Sequence, residues 1–104
     1  MTPARREVRA SASFFDDLDR QLPDTRGPAG EPSAHDLLTT DLFEVIDVFA
    51  TEFESLPPAR PGDRSRRLLV RAGSLVGMYA VVGLLRPDGV VELISIDVDL
   101  DPPI

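Results

Sequence analysis

The sequence predicts one α+β domain, in which an N-terminal strand and two helices precede an antiparallel three-stranded meander and the helices lie on one face of the sheet. Three observations predict it. In the first half, apolar residues recur at helical spacing: Phe14, Leu18 and Leu22 in one segment, and Leu38, Leu42, Val45, Ile46, Phe49, Phe53 and Leu56 in another. After Pro57 and Pro58 the period becomes extended, in runs over 67–72, 75–84 and 90–100. At 104 residues the chain has the size of one domain and is too short for two cores.

Taken in order, residues 7–11 form a short, weakly apolar candidate strand suited to a sheet edge. Ser13 can cap the first helix, with Asp16 and Asp17 favourably placed in its first turn, and Pro23 stops it. Residues 24–32 hold two prolines and two glycines and read as a loop. Ser33 with Asp36 has the spacing of a reciprocal cap and opens the second helix. A second cap signal, Asp41 with Glu44, leaves open a split into a short turn and a main helix over 42–56. Gly73-Ser74 reads as a tight turn. The 75–84 run is apolar on both faces and therefore central. Arg86-Pro87-Asp88-Gly89 carries turn chemistry before the last strand. The pattern predicts that Leu42, Ile46, Phe49 and Phe53 pack on Val70, Met78, Ala80, Ile94 and Ile96.

Composition narrows the function. A hydrophobic share of 42% with 28% charged residues is that of a folded globular chain. Without cysteine there is no disulfide, thiolate nucleophile or thiolate zinc site. No apolar run reaches about 18 residues and the N-terminus is polar, so the sequence reads as cytoplasmic, with no membrane partner. A net charge of −7 opposes a surface that grips nucleic acid throughout. The charge is segregated, however. Residues 60–71 hold five arginines against one acid, and residues 36–54 hold six acids and no base.

Chemistry-bearing motifs are sparse. His35, the only histidine, lies at a helix start with no paired motif, and the glycines at 73, 77 and 83 punctuate strands without forming a phosphate loop. No cofactor is expected. Asp97, Asp99 and Asp101 alternate along a strand and share one side, which suits either a divalent cation or a solvated face that blocks edge aggregation; the second is favoured and no metal is assigned. The arginines at 60, 64, 66, 67 and 71 are the best functional candidates. They suit phosphate binding, or else they offset the acidic helix or meet an acidic partner.

The order strand, helix, helix, then three strands resembles the RelE/ParE toxin superfamily over about residues 7–100, together with residues 67–74 leading into Met78-Tyr79-Ala80-Val81-Val82 and the Asp88-Gly89 hairpin. The resemblance implies the toxin-like component of a type II toxin–antitoxin pair, with a cognate antitoxin as partner and the ribosome and its mRNA as a further one. In a ribosome-dependent endoribonuclease of this kind, Arg67 and Arg71 would bind phosphate, Arg86 would neutralise developing charge, and Tyr79 would stack on a base or assist proton transfer. Arg60, Arg64 and Arg66 would contact RNA or the partner. Two departures remove positive charge from the family pattern: Val76-Gly77 stands where an arginine follows the turn, and Asp97, Asp99 and Asp101 stand in the last strand. They point to the alternative of a noncatalytic interaction module on the same fold, of the gyrase-inhibitor or degenerate-toxin type.

Overall fold

A computed structural model describes residues 5–22, 33–72 and 78–99, apart from the side chains at 35, 37 and 39. The 24–32 loop, the His35 side chain, the Gly73-Ser74 turn, Val76-Gly77 and Asp101 lie outside the described residues. The elements are β1 (Val8–Ala10), α1 (Ala12–Gln21), α2 (Ala34–Thr40), α3 (Leu42–Thr51), a single 3-10 turn (Phe53–Ser55), β2 (Arg66–Arg71), β3 (Met78–Leu85) and β4 (Val91–Asp99). The class is α+β. Four strands form one mixed sheet in the order β1-β4-β3-β2, with β1 parallel to β4 and the other pairs antiparallel.

Local chemistry sets the helix ends. Ser11, and not Ser13, caps α1, its hydroxyl accepting from the Phe14 amide at 3.3 Å. Ser33 and Asp36 form the reciprocal cap of α2: the Ser33 amide donates to the Asp36 carboxylate at 3.0 Å, and the Asp36 amide donates to the Ser33 hydroxyl at 3.1 Å. The chain breaks at Asp41, so α2 and α3 are separate helices, and α3 stops at Thr51, short of the expected 56. In the β3–β4 connection the Gly89 amide donates to the Arg86 carbonyl at 3.0 Å, and Gly89 takes φ +88, which its missing side chain permits.

β4 sets the register of the core. Its pairing with β3 jumps between Val82↔Ser95 and Gly83↔Leu93, so Ile94 is an extra residue, a bulge. The bulge reverses the alternation, and Val91 and Leu93 before it share the helix-covered face with Ile96 after it. β1 pairs only with residues 91–93 of β4. The rest of that edge is covered by one stripe of α1. The Ser13 hydroxyl donates to the Ile94 carbonyl at 2.7 Å, the Asp17 carboxylate accepts from the Ile96 amide at 3.3 Å, and the Gln21 amide group bonds the Ile96 carbonyl and the Val98 amide, each at 2.7 Å. Spacing of four residues puts these three side chains on one helix face, where they stand in for a neighbouring strand.

The core joins Phe14, Leu18 and Leu22 to Val45, Val48, Phe49 and Phe53 over Leu69, Tyr79, Val81, Val91, Leu93 and Ile96. Phe49 and Phe53 are buried, and Leu42 and Ile46 pack at the margin, as the helical stripe predicts. The expected sheet partners need correction. Val70 is 49% exposed and points away from the helices, while Met78 and Ala80 occupy the half-buried alternate positions of β3 and Ile94 is the bulge. Of the five expected, Ile96 alone is a buried core residue. β2 and β3 are apolar at consecutive positions, so alternation does not choose between their faces.

Candidate functional site

The expected catalytic residues lie on the helix-covered side of the sheet or at its end, and not around one cleft. Arg67 and Arg71 sit at odd positions of β2, on the face shared with Leu69. Arg67 pairs across the sheet with Gly83 and Arg71 with Tyr79, so the two arginines are separated by roughly 13 Å of strand. Arg86 lies seven residues beyond Tyr79, roughly 23 Å along extended chain. Only Arg71 and Tyr79 are brought together as direct neighbours.

Each of these residues has an internal environment that accounts for it. The Arg67 guanidinium donates to the Leu56 carbonyl at 2.8 Å and the Arg64 carbonyl at 3.1 Å, and lies 5.6 Å from the centre of the buried Phe53 ring. Arg6 approaches the same ring at 5.7 Å and pairs through both terminal nitrogens with Glu54, holding that carboxyl below its usual range. Arg71 pairs with Glu44, and Arg5 with Asp47 at 2.7 Å, both acids on α3. Arg86 pairs with Asp88 at 3.1 Å and lies 3.7 Å from Glu92. Of the basic segment, Arg71 thus meets the acidic helix, while Arg67 is held by carbonyls and the Phe53 ring. Arginine 67 is held by packing as well as charge, so Arg67→Ala is expected to cost about 1–2 kcal/mol in urea unfolding. Arg60→Ala and Arg64→Ala should stay within about 0.5 kcal/mol.

Tyr79 is 2% exposed, and its hydroxyl has no hydrogen-bond partner among the described residues. Burial, then the nearby carboxylates of Glu44 and Asp41, raise the phenol above its ordinary range, with Arg71 opposing them. The ring borders a cavity of about 10 Å³ between Phe14, Leu38, Asp41, Val45, Val81 and Ile96. That is space for at most a single water, far too small for a nucleobase.

The loop before β2 is the remaining basic surface. Gly62 takes φ +82, and the Asp63 carboxylate accepts from the Ser65 amide at 2.9 Å, the Ser65 hydroxyl at 2.7 Å and Arg66 at 3.1 Å. These bonds lower the Asp63 carboxyl to about 2, Ser65 being the main cause. Arg66 is thereby engaged, whereas the exposed side chains of Arg60 and Arg64 have no partner among the described residues. Asp97 and Asp99 are exposed on β4, and no group of three His, Cys, Asp or Glu residues with metal-binding geometry occurs among the described residues.

The opposite face of the sheet carries no described helix. It presents Leu68, Val70, Ala80, Val82 and Leu84, with Val70 the most exposed. Sequence reasoning missed this face because it placed Val70 and Ala80 under the helices. The outward positions could have been found from Arg71, whose charge can be met by Glu44 of α3 only if Leu69 points inward. No described helix is long and apolar enough to cross a membrane. Comparison with family models, curated proteins and solved structures finds no match.

Proposed function

We propose that the chain is a noncatalytic, toxin-like interaction module with the element order of the RelE/ParE superfamily, and that it engages an acidic, antitoxin-type protein through the Arg60–Arg64 loop. The burial of Tyr79 carries the noncatalytic part: a phenol with 2% exposure in a packed core is out of reach of a nucleic-acid polymer. The ion pairs of Arg71 and Arg86 and the ring and carbonyl contacts of Arg67 support the same conclusion, because a phosphate would have to displace them. The partner class follows from charge. Arg60 and Arg64 are exposed cations on a chain of net charge −7, so they form a local site for carboxylates.

Purified protein incubated with RNA alone and with programmed ribosomes is expected to leave both uncleaved, and its induced expression is expected to leave message intact. Robust cleavage abolished by Arg71→Ala with Tyr79→Phe would replace this proposal with the endoribonuclease one.

A further inference from the structure

We draw no further inference here: the strongest candidate, the outer edge of β2 at the exposed Val70, beyond the stretch where Pro57 and Ala59 bond to Leu68 and Arg66, carries nothing because nothing in the structure shows what strand would cover it.

Discussion

Replacing Phe49 by alanine is expected to remove about 3–5 kcal/mol of stability, measured as a shift in the urea midpoint at unchanged slope. Phe49 has no exposed surface and sits where α3 meets the centre of the sheet, beside Phe53 and over Gly83. The ring occupies the space that a side chain on β3 would take, so its removal leaves a cavity that rigid strands cannot close. A domain of this size has roughly 5–15 kcal/mol in total, so the variant should be marginally folded. A loss below about 1 kcal/mol would show that Phe49 is not the contact between helix and sheet.

The complementary change is expected at Gly83. A Cβ built there would lie 2.5 Å from one ring carbon of Phe49 and 2.7 Å from the next. The ring is enclosed and cannot rotate away, so Gly83→Ala should cost about 1–3 kcal/mol through overpacking, despite the usual preference for alanine over glycine inside a strand. Combining Gly83→Ala with Phe49→Leu should recover part of that loss, because the smaller side chain vacates the contested volume. Strictly additive losses in the double variant would place the clash elsewhere.

The sequence revealed the elements more readily than their faces. The Ser33–Asp36 cap and the Asp88-Gly89 turn are local signals, and each marks what it was expected to mark, whereas α3 stops at Thr51, ahead of the prolines expected to end it. The orientation of β2 and β3 is a nonlocal property. With Leu68, Leu69 and Val70 all apolar, only partners distant in sequence decide which points inward. The bulge at Ile94 was equally hidden, because no glycine or proline announces it. The same uncertainty governed the candidate site. Arg67, Arg71 and Tyr79 share an odd-numbered face, and once that face is the covered one, residues that suggested RNA chemistry become the rim and floor of the core. Arg60 and Arg64 are exposed, since a loop with Pro61 and Gly62 does not enter a packed interior.

The burial of Tyr79 is the pivot of this account, and the composition supplies a clean probe: the chain has one tyrosine and no tryptophan. Ultraviolet titration of tyrosinate follows that single phenol. Its folded-state value is raised, so the folded protein holds its proton where the unfolded chain releases it. The resulting stability is complete below the ordinary tyrosine value of about 10 and is lost as the pH rises through the folded value. The predicted result is less tyrosinate at pH ~10 in the native protein than in the urea-unfolded chain, while circular dichroism remains native, followed by ionisation at higher pH together with unfolding. Reversible ionisation at the ordinary value in fully folded protein would contradict it, placing the phenol at the surface and within reach of a substrate.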